Sequence, residues 1–202
     1  MANFMSLRRN SQKNRCLKCL VHKEDCYCAK IIPMDLPTKV SIIMHKKEQF
    51  LTSNTAMLSH KSLLNSEIHL RGYADIPIPD SFLEENKYHP LFLYPDENAI
   101  EITSEFLSKF DKPINLIVPD GTWRQAQKTH AREKKVSHIQ TVKITNCPKT
   151  LYTLRRQKYE YGLCTHEAIT YALGIIENEK VQEKLLDDFK IMLNIHQGYR
   201  AY

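Results

Sequence analysis

Glycine is scarce in this chain, with five among 202 residues. Neither a G-x-G-x-x-G turn nor a G-x4-G-K-[ST] loop occurs. The two common backbone cradles for nucleotide phosphates are therefore excluded, and a nucleotide-like ligand needs another kind of pocket. No apolar stretch is long enough to span a bilayer, so no membrane partner is expected. No internal repeat or low-complexity linker divides the chain. Residues 1–15 lack the apolar segment of a secretory leader and carry Arg8, Arg9, Lys13 and Arg15. A cytoplasmic protein with reduced thiols is the expectation. Tryptophan occurs once, at position 123.

Four of the six cysteines are crowded into a short stretch, as Cys16-x2-Cys19-x6-Cys26-x-Cys28. Two close thiolate pairs can close a tetrahedral zinc site with Zn–S bonds of about 2.3 Å. The competing reading is two disulfides, which the expected compartment disfavours. Cys16, Cys19, Cys26 and Cys28 are thus the candidate metal ligands. The formal net charge is +6, and residues 1–30 hold seven Lys and Arg against Glu24 and Asp25. Five of the six net positive charges therefore sit on the cysteine segment, which suits a polyanionic partner such as RNA. The length accommodates a basic zinc-knuckle segment over 1–32 and one α/β domain over 33–202.

Strands are expected at Lys39–Met44, Glu67–Leu70, Leu91–Tyr94, Ile114–Val118 and Ile139–Ile144. Helices are expected at Ser53–Asn65, with Ser53 or Asn54 as its cap, at Glu101–Phe110 and at Thr122–Lys135. Two more follow, one capped by Thr165 and a last one carrying Val181, Leu185, Phe189, Met192 and Leu193. This alternation predicts a mainly parallel sheet with helices on both faces.

The most informative tetrapeptide is Asp120-Gly121-Thr122-Trp123, which follows the apolar run ending at Val118-Pro119. It puts a carboxylate and an aromatic plane at the C-terminal end of a strand, where open α/β sheets bind ligands. Other polar groups fall at strand ends or helix starts: His45 and Glu48, Asn54, Tyr94-Pro95, Arg155 and Arg156, and Leu163-Cys164-Thr165-His166-Glu167. Each has a bland reading alone. Asn54 suits a helix cap, Glu167 suits the positive first turn of a helix, and the arginines suit solvent or phosphate.

Taken in order, these elements resemble the DTW-domain family, named for its Asp-x-Thr-Trp motif. The four-cysteine knuckle, His45-x2-Glu48, Asn54-Thr55-Ala56, the DGTW element, Leu154-Arg155 and Thr165-x-Glu167-Ala168 appear in family order. Three positions depart from its usual pattern: no Arg-Pro separates the cysteine pairs, Lys46 follows His45, and Cys164 precedes Thr165. The resemblance implies a fold related to the knotted SPOUT methyltransferases. It also implies transfer of the 3-amino-3-carboxypropyl arm of S-adenosylmethionine to N3 of a tRNA uridine, with release of methylthioadenosine. Asp120 is then the candidate base or electrostatic anchor, and Trp123 stacks on adenine or uracil or walls the pocket. Tyr94, Pro95, Pro119, Gly121, Thr122, Arg155, Leu163, Thr165 and Glu167 line the cofactor. His45, Glu48, Asn54, Arg124, Lys128 and Arg156 face the tRNA. A methyltransferase of the same fold, or a zinc-containing RNA-binding module without activity, are the alternatives.

Overall fold

The apolar runs become neighbours in one sheet. In the computed structural model, which describes residues 14–73, 77–154 and 162–198, the strands are β1 (Lys39–His45), β2 (Ser66–Arg71), β3 (His89–Leu93), β4 (Ile100–Glu101), β5 (Ile114–Asp120) and β6 (Thr141–Lys143). Their order is β2-β1-β5-β3-β6-β4, and every neighbouring pair is parallel. A parallel sheet must be covered on both faces. The helices that cover it are α1 (Ala56–Ser62), α2 (Ser104–Leu107), α3 (Trp123–Arg132), α4 (Thr165–Ile176) and α5 (Glu179–Gly198).

Alternation along each strand sorts the core into two layers. Val40, Ile42, Met44, Leu91, Leu93, Leu116 and Val118 face α1, α2, α4 and α5 through Ala56, Phe106, Ile169, Leu173 and Leu185. Ile43, Phe92 and Ile117 face the other way, onto Phe82, Leu83, Val136 and Ile139. His130 of α3 lies against Phe92 with ring centroids 4.7 Å apart, so α3 belongs to this second layer. Lys39 and Asn115, both buried here, donate to carbonyls of the short turn Asp80–Phe82 and its neighbours. Asn115 donates to the carbonyls of Phe82 and Leu83 at 3.0 Å. Lys39 reaches Glu67 at 2.7 Å and Glu84 at 2.6 Å. Burial lowers the Lys39 pKa, and the two carboxylates outweigh it, so the net shift is upward.

A third cluster joins the cysteine segment to the domain. Val21, Tyr27 and Ile31 pack with Leu58 of α1 and with Phe189, Met192 and Leu193 of α5. Tyr27 keeps 2% of its surface exposed.

Two local expectations are corrected. The helix expected over Glu101–Phe110 is only Ser104–Leu107. Ile100 and Glu101 instead pair with β6, and Thr103 caps the short helix by accepting from Phe106 N at 3.1 Å. Thr165 is not the cap of α4 but its first residue; Cys164, with extended backbone, is the cap. Among the described residues, no helix is long and apolar enough to cross a membrane.

Candidate active site

The chain leaves β1 toward its outer neighbour β2 and leaves β5 the opposite way, across β3 to β6. In open sheets such a divergence marks the crevice where ligands bind, here at the carboxyl ends of β1 and β5. Asp120 ends β5 there and is 7% exposed. Asn54 Nδ2 donates to its Oδ2 at 2.9 Å, and Thr165 Oγ1 donates to its Oδ1 at 2.6 Å. Each carboxylate oxygen thus has a donor from a different helix start, which fixes the group and complements its charge.

Asn54 is a three-way junction. Its Nδ2 also donates to the Glu48 carbonyl at 3.2 Å, while Oδ1 accepts from Met57 N at 3.0 Å. Thr55, not Ser53 or Asn54, is the N-cap residue of α1, but the last bond secures the first turn from one residue earlier, so one carboxamide steadies the start of α1, holds the β1–α1 loop and grips Asp120.

Gly121 turns the chain into α3. A Cβ built on it would lie 2.9 Å from Gln125 Oε1 and 3.4 Å from His45 Cβ, so the turn has no room for a side chain. Thr122 then opens α3 with a capping box: its hydroxyl accepts from Gln125 N, and Gln125 Oε1 accepts from Thr122 N at 2.7 Å. Trp123 is the first residue of that helix. Its ring meets Tyr94 edge-on, with centroids 6.2 Å apart. Both rings are half-buried, so they present part of an aromatic wall to solvent.

The remaining sequence candidates take different places. His45 ends β1, half-buried, and its Nδ1 accepts from Lys47 N at 3.2 Å. Burial, then the nearby Lys47 and Arg71, lower its pKa. Glu48 is buried at 7% exposure. Pro119 is in β5, Pro95 is exposed beyond Tyr94, and Leu163 is half-buried before α4. Glu167 is wholly buried beneath the start of α4. It accepts from Cys164 N at 3.0 Å, from Leu151 N at 2.6 Å and from Thr150 Oγ1 at 2.6 Å. Arg124 is exposed and Lys128 half-buried on α3. Arg155 and Arg156 lie outside the described residues. The structure therefore brings together Asp120, Asn54 and Thr165, with Trp123 and Tyr94 beside them, and sets Glu167 apart as an anchor for the segment leading to Leu154.

Several contributors went unread in the sequence. Tyr152 donates its hydroxyl to the Ser53 carbonyl at 2.7 Å, and Thr150 and Leu151 hold Glu167. Only the Thr-x-x-Gln capping box at 122–125 carried a local signal.

The four cysteines form a second centre. Their sulfurs all lie within 4.8 Å of one another. Cys16 and Cys28 are 3.9 Å apart, and Cys19 and Cys26 are 3.8 Å apart. Four sulfurs about 2.3 Å from one tetrahedral metal would be about 3.8 Å apart, so the set fits such an ion. Burial raises the Cys16 pKa, but backbone N–H groups of Cys19 and Lys18 and the neighbouring thiols prevail and bring it to about 6.

The DTW domain profile matches residues 13–197, from the cysteine segment to the end of α5. The chain belongs to the DTW domain family. Within that family it is similar to tRNA-uridine aminocarboxypropyltransferase 2 of Macaca fascicularis, at 26% identity over 196 residues. That match covers 94% of this chain and 66% of the relative. The protein of the same name in Drosophila melanogaster is 24% identical over 180 residues, covering 83% of this chain and 68% of the relative. tRNA-uridine aminocarboxypropyltransferase A of Arabidopsis thaliana is 25% identical over 205 residues, covering 86% of this chain and 77% of the relative. This chain thus spans about two thirds of the length of its animal relatives, and the DTW motif itself is the Asp120–Trp123 element at the crevice.

Proposed function

We propose that this DTW-domain protein is a tRNA-uridine aminocarboxypropyltransferase. It would move the 3-amino-3-carboxypropyl arm of S-adenosylmethionine to uridine N3 and release methylthioadenosine. The observation that carries the reading is the Asp120 carboxylate, fixed by Asn54 and Thr165 beside Trp123 at the open end of the sheet. The names of the relatives support the coarser part of this reading, aminocarboxypropyl transfer to a tRNA uridine.

The co-substrate supplies an electrophilic carbon on a sulfonium. A bond from uridine N3 to that carbon forms as the carbon–sulfur bond breaks, the electron pair returns to sulfur, and N3 gives up its proton. Asp120 is the group placed to take that proton or to hold a cationic part of the co-substrate. Its oxygens are held by Asn54 and Thr165, so the carboxylate needs little reorientation to serve either role. Trp123 and Tyr94 suit the flat face of an adenine or uracil. Arg155 is assigned to the carboxylate of the arm, and Arg156, with Arg124 and Lys128, to tRNA phosphates. The choice of arm over methyl follows from pose: only the carbon held in line, about 3–3.5 Å from N3, reacts. Cys16, Cys19, Cys26 and Cys28 would hold structural zinc, and residues 1–32 would bring a basic docking segment to the tRNA. A cytoplasmic location is part of this reading.

The test uses unmodified tRNA and two samples of S-adenosylmethionine, one labelled in the methyl and one in the arm. Label reaching tRNA only from the arm is the expected result. Label only from the methyl would make the protein a methyltransferase. No transfer from either, with no co-substrate binding, would leave an RNA-binding module.

A further inference from the structure

The loop from β1 to α1 leaves the same end of the sheet as Asp120, and its composition is basic and aromatic: Lys46, Lys47, Gln49, Phe50, Leu51. It is an ordered turn. Glu48 N donates to the His45 carbonyl at 2.8 Å, and Leu51 N to the Glu48 carbonyl at 3.1 Å. Asn54 ties the same Glu48 carbonyl from below. Yet Phe50 is 68% exposed at the top of this tied loop. Glu48, the loop's one acid, is turned inward and buried, so the loop's outward charges are Lys46 and Lys47.

Tyr73 completes the surface. Its hydroxyl donates to Gln49 Oε1 at 3.5 Å, Lys46 Nζ lies 4.9 Å from its ring centroid, and 42% of the residue is exposed. The patch adjoins the crevice through His45. That ring sits between Gly72 and Gly121: a Cβ on Gly72 would meet His45 Nε2 at 3.4 Å, and one on Gly121 would meet His45 Cβ at 3.4 Å. On the far side, Arg71 pairs with Glu133 at 2.5 Å and reaches the Lys128 carbonyl at 3.5 Å. It thereby neutralises the acid next to α3, where Arg124, Lys128 and Arg132 are spaced four apart along one side of the helix. Cations and exposed rings thus run from Phe50 past the mouth of the crevice to Arg132.

We infer that the β1–α1 loop, together with Tyr73 just beyond β2, is an RNA-docking element, in which Phe50 and Tyr73 stack on unpaired bases flanking the target nucleotide while Lys46 and Lys47 meet the adjoining phosphates. Rings interleaved with cations are what single-stranded nucleic acid requires, because every base has a stacking face and every linkage a negative charge. The inference rests on the proposed action on tRNA and adds the element that would present the uridine to Asp120.

The experiment measures binding of fluorescein-labelled, unmodified tRNA to the full chain by anisotropy over a salt series, with arm-label transfer followed in parallel. Phe50→Ala should weaken binding about tenfold or more with an unchanged salt slope, and Phe50→Trp should restore it. The double variant Lys46→Ala/Lys47→Ala should lower the log–log salt slope by about 1.5. Lys109→Ala/Lys112→Ala, at the opposite end of the sheet, should bind as the parent does. Unchanged affinity in the loop variants, an equal loss in the Lys109/Lys112 control, or a parent protein that does not bind tRNA would each overturn the proposal. So would a dimer, seen by sedimentation, that Phe50→Ala dissociates without altering tRNA affinity. Binding through the loop without arm transfer would retain the docking surface and remove the transferase reading. Arm transfer with an unaltered KM for tRNA in Phe50→Ala would do the reverse.

Discussion

Asp120 accepts at both carboxylate oxygens, at Oδ2 from a residue 66 positions before it and at Oδ1 from one 45 positions after it. Asp120→Asn keeps the shape and removes the charge. If the carboxylate takes the N3 proton, this substitution lowers the single-turnover rate by roughly 10²–10⁴-fold and leaves co-substrate affinity near the parent value. Joint loss of affinity and rate would assign Asp120 to anchoring instead; equilibrium binding alongside rapid-quench transfer separates the two. At the same scale, His166 of α4 is wholly buried and bonded to both α1 and α5. Ser59 donates to its Nδ1 at 2.8 Å, and its Nε2 donates to the Leu185 carbonyl at 2.9 Å. That pattern needs a neutral ring. Burial lowers its pKa to about 4, against the smaller upward pull of the Leu185 carbonyl, Asp188 and Glu167. An unfolded histidine titrates near 6.5, so between those values the unfolded chain binds the extra proton. Its contribution to stability is complete above about pH 6.5 and is lost as pH falls toward about 4, at up to about 1.4 kcal/mol per unit. Urea denaturation from pH 7 to 5 should show that slope, and His166→Gln should flatten it.

Among the elements, α3 depends most visibly on its first turn. Its capping box satisfies backbone donors that a helix start otherwise leaves open. Thr122→Ala should cost about 0.5–2 kcal/mol in urea denaturation and change the near-ultraviolet circular dichroism of Trp123, the lone indole. A second layer of legibility lies here. The long apolar strands β1 and β5, the Asp120–Trp123 turn and the cysteine spacing stand out because each is local. The edge elements do not: β4 has two residues and α2 has four. Too few side chains are present there for a period to develop, and pairing with β6 decides the outcome. Lys39 and Asn115 are polar residues inside the expected strands, yet both are buried, because carbonyls and a carboxylate of the 81–84 turn meet them. The triad of Asn54, Asp120 and Thr165 was nameable residue by residue, but its contacts span three separate elements, and no local pattern encodes them.

For the molecule as a whole, the cysteine segment is part of the core. Val21 and Tyr27, 1% and 2% exposed, close the space over Leu58 and Phe189. Burial of one such apolar side chain is worth about 1.5–3 kcal/mol. Metal removal should therefore lower the thermal midpoint of the entire domain in a single transition. The purified protein should carry one equivalent of zinc by elemental analysis, and Cys28→Ser should lower both the zinc content and the midpoint. Two independent melting transitions would assign the segment to a separate unit.

The strand order also governs how this chain acquires its shape during synthesis. Every partner in the sheet is parallel, so no strand can fold back on its predecessor through a tight turn. β1 forms its central pairing with β5, Lys39 opposite Asn115, and those residues are made 76 positions apart. At about 5–20 residues per second, β1 waits about 4–15 s on the ribosome with one flank unpaired. Val40, Ile42 and Ile43 lack their β5 neighbours Leu116, Val118 and Pro119 through that interval, so this strand is the expected segment for a nascent-chain chaperone to hold. Chains arrested before Asp120 should be degraded by protease, and chains released after Gly198 should resist it.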